Sequence, residues 1–208
     1  MKYVLVVNEY GRYYTPFAPF GEFLDDEMVL EKPDHGVVLA VFTGGEDVSP
    51  KLYGEPQLPA TYSSWDRDAE EYDIFKKIRK AEIPMVGICR GAQFLCVMAG
   101  GKLVQHVDNH AGSHHAMLTH DGRKLDVNSL HHQMQYPPAS AKVLGWAETR
   151  LSNRYLGVST PPEKENEVVY YPNINALGIQ YHPEMMSGHS EGWKYCVEMT
   201  QKLLQREL

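Results

Sequence analysis

The order of apolar and polar positions divides this chain into short hydrophobic runs separated by polar or amphipathic segments. Tyr3–Val7 and Gly36–Phe42 are unbroken apolar runs, the pattern of strands covered on both faces. Ala69–Lys80 instead places Tyr72, Phe75, Ile78 and Arg79 at three- and four-residue spacing, which predicts a helix with one apolar face opening after Asp66-Arg67-Asp68. A strand at Met85–Ile88 then turns abruptly into a helix, Gly91–Met98. Short strands are predicted at Lys124–Val127, Lys142–Glu148, Glu167–Tyr171 and Ala176–Tyr181, and a last helix at Glu191–Arg206. This βαβ rhythm predicts an α/β fold. Its central sheet is mainly parallel and flanked by helices on both faces, with antiparallel additions in the second half. No repeat or low-complexity linker interrupts the pattern, so residues 1–208 read as a single domain.

One turn in this pattern carries chemistry. Gly87-Ile88-Cys89-Arg90-Gly91 puts a cysteine between a strand and a helix. Such an elbow lifts a nucleophile clear of the sheet. It also sets the sulfur at a helix N-terminus, where unpaired N–H groups and the helix dipole favour thiolate. Glycines at 87 and 91 remove side chains that would crowd so sharp a turn. A thiolate needs a base, and Gln180-Tyr181-His182-Pro183-Glu184 offers one. Pro183 cannot continue a ladder, so His182 is expected at the strand end, with Glu184 fixing its tautomer. Thr43-Gly44-Gly45, just past the second strand, can bring backbone N–H groups close to a ligand, as an oxyanion hole requires.

Composition narrows the classes. With 43% hydrophobic and 23% charged residues, 208 residues can bury a full core. A net charge of −7 without a lysine or arginine stripe argues against nucleic acid as a direct partner. No run is long enough to span a membrane, and the first apolar run is too short for a signal peptide. Three cysteines, Cys89, Cys96 and Cys196, show no disulfide-scaffold spacing. A catalytic thiol needs a reducing compartment, so a cytoplasmic location is expected. Cys96 reads as helix packing against the sheet.

Seven histidines, His106, His110, His114, His115, His120, His131 and His132, crowd one stretch. No second cysteine or carboxylate stands there at familiar metal spacing, so neither a metal nor another cofactor is expected. The stretch reads as polar loop near the mouth of the site. Tyr13–Phe20 reads as a packed loop, as a lid over the substrate or as a surface that docks a partner.

The chain resembles the class I glutamine amidotransferase-like superfamily, and within it the gamma-glutamyl-gamma-aminobutyrate hydrolase (peptidase C26) family. The resemblance rests on Gly44-Gly45-Glu46-Asp47-Val48-Ser49-Pro50, Gly87-Ile88-Cys89-Arg90-Gly91-Ala92-Gln93, Gly100-Gly101-Lys102-Leu103-Val104-Gln105, Val127-Asn128-Ser129-Leu130-His131-His132-Gln133 and Gln180-Tyr181-His182-Pro183-Glu184. It implies a flavodoxin-like fold and a cysteine hydrolase with Cys89 as nucleophile, His182 as base and Glu184 as its orienter. It implies oxyanion donors at the N–H groups of Gly45 and Arg90, and glutamyl contacts at Gln93, Ser129 and His131. Thr43 stands where the family has proline, and the N-terminal third does not match, so the leaving amine stays open. Two activities share these residues. One is hydrolysis of a small gamma-glutamyl amide through a thioester; the other is ammonia supply by a glutaminase subunit to a partner synthetase or amidoligase. A homodimer is open as well. A non-catalytic binding protein would not need Cys89, His182 and Glu184 together.

Overall fold

The structure is a computed structural model that describes residues 1–8 and 15–208; Tyr13 and Tyr14 of the aromatic segment lie outside the described residues. The first half supplies strands β1 (Tyr3–Val7), β2 (Glu22–Leu24), β3 (Val37–Phe42) and β4 (Met85–Ile88), with helices α1 (Trp65–Lys80) and α2 (Arg90–Met98). Short strands β5 (Lys102–Val104) and β6 (His106–Val107) follow. The second half adds β7 (Ala111–Thr119), β8 (Lys124–Leu130), β9 (Met134–Tyr136), β10 (Lys142–Ala147), β11 (Tyr155–Leu156), β12 (Asn166–Tyr171), β13 (Ala176–Ile179) and helix α3 (Glu191–Gln205).

Among the described residues the main sheet has nine strands in the order β2-β1-β3-β4-β13-β12-β10-β7-β8. Its first five strands are mutually parallel, and the last four join by antiparallel pairing, as the sequence pattern predicts. Period-two geometry splits each apolar run between two cores. Val4, Val6, Leu39 and Val41 face the core under α3, with Tyr195, Met199 and Leu203. Leu5, Val7, Ala40 and Phe42 face the other core, with Ile74, Phe75 and Ile78 of α1 and Phe94 and Leu95 of α2. No described helix is long and apolar enough to cross a membrane.

Three expectations shift. Helix α1 begins at Trp65 rather than Ala69, because the Ser64 hydroxyl accepts the Arg67 N–H at 3.4 Å and acidic Asp66 and Asp68 suit the first turn. Its buried face is also rotated: Tyr72 and Arg79 are exposed, while Arg67, Asp68 and Glu71 are buried with Ile74, Phe75 and Ile78. The histidine stretch is largely strand, not loop, with His114 and His115 on β7 and strand β8 continuing to Leu130.

Candidate active site

Strands β3, β4 and β13 are parallel neighbours, and their register sets Phe42 opposite Gly87 and Ile88 opposite Ile179. Gly44-Gly45, Cys89 and His182 all lie just past these strand ends, so they meet at one sheet edge despite their separation in sequence. The carboxyl edge of such strands is where open α/β sheets bind ligands.

Cys89 has φ 50° and ψ −105°, a conformation L residues rarely adopt. It persists because its surroundings allow nothing else. The Cys89 N–H donates to the Ile179 carbonyl at 2.8 Å, and the Cys89 carbonyl accepts the Gln93 N–H at 3.1 Å as α2 begins. A Cβ on Gly87 would lie 2.4 Å from the Gly91 carbonyl, and one on Gly91 would lie 2.1 Å from the Phe42 carbonyl. The elbow thus needs both glycines. Cys96 and Cys196 are buried in the two cores, and burial pushes the Cys96 thiol up to about 12 and raises Cys196 as well.

His182 stands after β13, and its Nδ1 faces Glu184 Oε1 at 2.6 Å. Burial alone would lower this imidazole. Hydrogen bonds to the Cys89 sulfur and to Glu184 outweigh burial and raise it to about 10. The His182 ring thus stands hydrogen-bonded to the Cys89 sulfur at the N-terminus of α2. The strand runs to Ile179, earlier than expected, although the Gln180 N–H still donates to the Glu167 carbonyl at 2.7 Å in the β12 register.

The Gly44–Gly45 peptide is fixed from behind. Arg67 Nη2 donates to the Gly44 carbonyl at 2.8 Å, which aims the Gly45 N–H of the same peptide plane the opposite way. Gly45 has φ 140°, and a Cβ there would sit 2.1 Å from Arg67 Nη1. Arg67 Nε donates to Glu71 Oε1 at 2.9 Å, and Glu71 and Asp68 both pair with the buried Arg90 guanidinium. Burial lowers Arg90 to about 10, so it stays charged at neutral pH. One buried ionic network on α1 thus holds both the glycine loop and the elbow. Sequence reading missed Arg67, Asp68 and Glu71; their signal was charge on an otherwise apolar helix face. It also missed Asn128, whose carboxamide pairs with the His182 backbone, and Asp47, whose Oδ1 lies 3.0 Å from His132 Nε2.

Gln93, Ser129 and His131, expected at the glutamyl group, each have buried hydrogen-bond partners. Gln93 lies in the first turn of α2 with its Nε2 donating to the Gln133 carbonyl at 3.0 Å. Ser129 and His131 are also buried, and His131 shares the Gln133 carbonyl with Gln93. The Ser129 hydroxyl donates to the His110 carbonyl at 2.5 Å, and His131 Nδ1 lies 2.9 Å from the Gln133 carbonyl. Around them the fold gathers His110, His115, Glu165 and Glu167. The carboxylates beside these rings therefore arrive from β12 and from a residue just ahead of it, not from the histidine stretch itself.

The Peptidase C26 family model matches residues 25–121. Over 171 residues the chain is 32% identical to "Putative glutamine amidotransferase PB2B2.05" of Schizosaccharomyces pombe, covering 72% of this chain and 61% of that protein. Over 122 residues it is 28% identical to the carbamoyl phosphate synthase small chain of Helicobacter acinonychis, covering 59% of this chain and 30% of that one. The chain spans less than two thirds of the length of these curated relatives. The crystal structure of a glutamine amidotransferase from Thermotoga maritima matches with a TM-score of 0.59 and 19% identity, covering 99% of this chain and 85% of that one, a likeness of fold. With the Cys89 elbow and the parallel-strand edge that carries it, these matches mean that the chain belongs to the class I glutamine amidotransferase-like superfamily.

Proposed function

We propose that the chain is a cysteine hydrolase that cleaves the amide bond of a small gamma-glutamyl compound. The carrying observation is the strained Cys89 elbow beside His182, whose Nδ1 lies 2.6 Å from Glu184 Oε1. In this reading the Cys89 sulfur attacks the gamma-carbonyl carbon, and the oxygen gains charge between the Gly45 and Arg90 N–H groups. The first N–H groups of a helix lack intrahelical acceptors, so Arg90 has a donor to offer. His182 gives its proton to the nitrogen as the C–N bond breaks, and the amine leaves. Water then attacks the gamma-glutamyl thioester while His182 takes its proton. The C–S bond breaks, glutamate departs, and the His182 proton restores the starting pair. Glu184 orients the ring throughout. Gln93, one turn along α2, is the expected residue nearest the elbow for glutamyl binding. A cytoplasmic setting fits a reaction that needs a reduced thiol.

A second reading is a glutaminase subunit that passes ammonia to a synthetase. It is favoured by the similarity to a carbamoyl phosphate synthase small chain. Incubating the purified chain alone with glutamine and a panel of gamma-glutamyl amines separates the two by glutamate release. Turnover of the amines without a partner supports the hydrolase. Glutamine turnover that appears only when a synthetase is added supports the subunit.

A further inference from the structure

Behind the catalytic edge lies a buried polar cluster that the proposed reaction does not use. His110, ahead of β7, His115 on β7 and His131 after β8 all turn toward Glu167 on β12. His115 Nε2 lies 3.1 Å from Glu167 Oε1, His131 Nε2 3.7 Å and His110 Nδ1 3.9 Å. The ligand atoms of His110, His115 and Glu167 all lie within 4.8 Å of one another. Glu167 is fully buried, yet neither of its oxygens has a hydrogen-bond partner, nor do His115 Nε2 and His131 Nε2. A buried carboxylate left in this state costs several kcal/mol in general, so something should stand between it and the rings.

The tautomers say what that is. His131 Nδ1 faces the Gln133 carbonyl at 2.9 Å, and a carbonyl only accepts, so the ring proton is on Nδ1. With that proton on Nδ1, the neutral ring turns the Nε2 lone pair toward the carboxylate. His110 Nε2 faces Glu165 Oε2 at 3.3 Å, which leaves Nδ1 as its lone-pair atom. The Ser129 hydroxyl gives its proton to the His110 carbonyl, so it does not donate to that lone pair. Glu165 is itself held by the Leu151 and Ser152 N–H groups at 2.8 Å and by the Tyr155 hydroxyl at 2.6 Å. A carboxylate that orients a histidine through its far nitrogen is the usual outer partner of a metal ligand.

Lone pairs that converge on a carboxylate call for a cation. We propose that His110, His115, His131 and Glu167 form a buried site for a single zinc-class divalent ion. With bonds of roughly 2.0–2.2 Å in tetrahedral geometry, ligand atoms would be about 3.3–3.5 Å apart. The separations of 3.1 and 3.9 Å from Glu167 Oε1 to His115 Nε2 and His110 Nδ1 fall around that value; His131, whose Nε2 lies 3.7 Å from the same oxygen, must turn toward the other two rings to supply the fourth ligand. Imidazoles with one carboxylate suit zinc, and four protein ligands leave no position for a substrate. The role is structural. The ion ties β7, β8 and β12 together, and the Glu167 carbonyl accepts the Gln180 N–H two residues before His182.

The test uses the full chain with Cys89 alkylated by iodoacetamide, so that the Cys89–His182 pair cannot supply ligands. The protein is stripped with a chelator, exposed to Zn2+ or Co2+, and desalted. The expected result is one equivalent of retained metal, visible Co2+ ligand-field bands of tetrahedral intensity, and a raised thermal midpoint. His115→Gln and Glu167→Gln should weaken retention at least tenfold. No stoichiometric uptake by the stripped wild-type chain overturns the proposal, whatever the variants do. So does uptake that alkylation abolishes, or uptake that folded His115→Gln and Glu167→Gln proteins match.

Discussion

The carboxamide of Asn128 grips both polar groups of the His182 backbone: it accepts the His182 N–H at 2.8 Å and donates to the His182 carbonyl at 3.0 Å. Asn128 sits on β8, the far edge strand of the sheet, and the pairing is buried. Among the described residues the β12 ladder goes no further than the Gln180 N–H, so at His182 this side chain does what strand pairing does elsewhere. Asn128→Ala should cost about 1–3 kcal/mol, since two buried backbone groups lose a partner. It should lower kcat more than it raises KM. Thermal unfolding beside steady-state kinetics checks both; an unchanged kcat in a folded variant would show that His182 is placed by other contacts.

Cys89 offers a prediction in which stability and activity part. Cys89→Ala and Cys89→Gly should both abolish turnover, because each removes the nucleophile. Only glycine relieves the φ 50°, ψ −105° backbone. That relief, offset by the greater freedom of glycine in the unfolded chain, should leave Cys89→Gly about 1 kcal/mol more stable than Cys89→Ala. Denaturant unfolding of the two variants gives the difference. Residual turnover in either would remove the basis for the proposed chemistry.

The pH profile should report the His182 pair. With the imidazole raised to about 10, activity should hold through neutral pH and fall in the alkaline range as the ring loses the proton owed to the leaving amine. Because the folded value lies above the ordinary 6.5, the contribution of the pair to stability is fully present below 6.5 and is lost as pH rises through about 10. Glu184→Gln removes one of the two groups that hold the proton, so the alkaline limb should move down by about one to three pH units. A limb that stays in place in Glu184→Gln would assign it to another group.

Arg67 tests the oxyanion argument without touching the reacting atoms. Lysine keeps a positive charge near Glu71, but it cannot reach both Glu71 and the Gly44 carbonyl with fixed geometry. Arg67→Lys should therefore let the Gly44–Gly45 peptide turn and lower kcat about tenfold to a hundredfold, less than outright loss of an oxyanion donor. KM should change little. A rise in KM alone would instead make Arg67 part of substrate binding.

Much of this architecture was legible, and the failures share a cause. Strands β1, β3, β4 and β13 announce themselves because central parallel strands are apolar on both faces. The Cys89 elbow is legible because its demands are local and met by the neighbouring glycines. Helix α1 was misread by a rotation because its inward face carries Arg67, Asp68 and Glu71, which are buried only because Arg90 arrives from another element. Strand β7 was read as loop because His115 fills an inward position where an apolar residue would signal burial. Each miss is a polar residue buried by a partner distant in sequence.

Phe17, an apolar residue in an aromatic segment, sets the last prediction. As part of an aromatic segment without family resemblance, it reads as a surface that ranks leaving amines. In the fold it is fully buried in a short 3-10 helix, Thr15–Phe20, within the core that α3 covers. This helix packs against α3 and against the turn Pro183–Met185, which carries Glu184. Phe17→Ala should thus behave as a core truncation and cost about 3–5 kcal/mol. Any loss of turnover should fall equally on all gamma-glutamyl amines, since the change acts through the Glu184 turn rather than through the amine. A panel of amines assayed well below the variant's thermal midpoint decides the matter. A change in their ranking, with stability intact, would return Phe17 to the substrate surface.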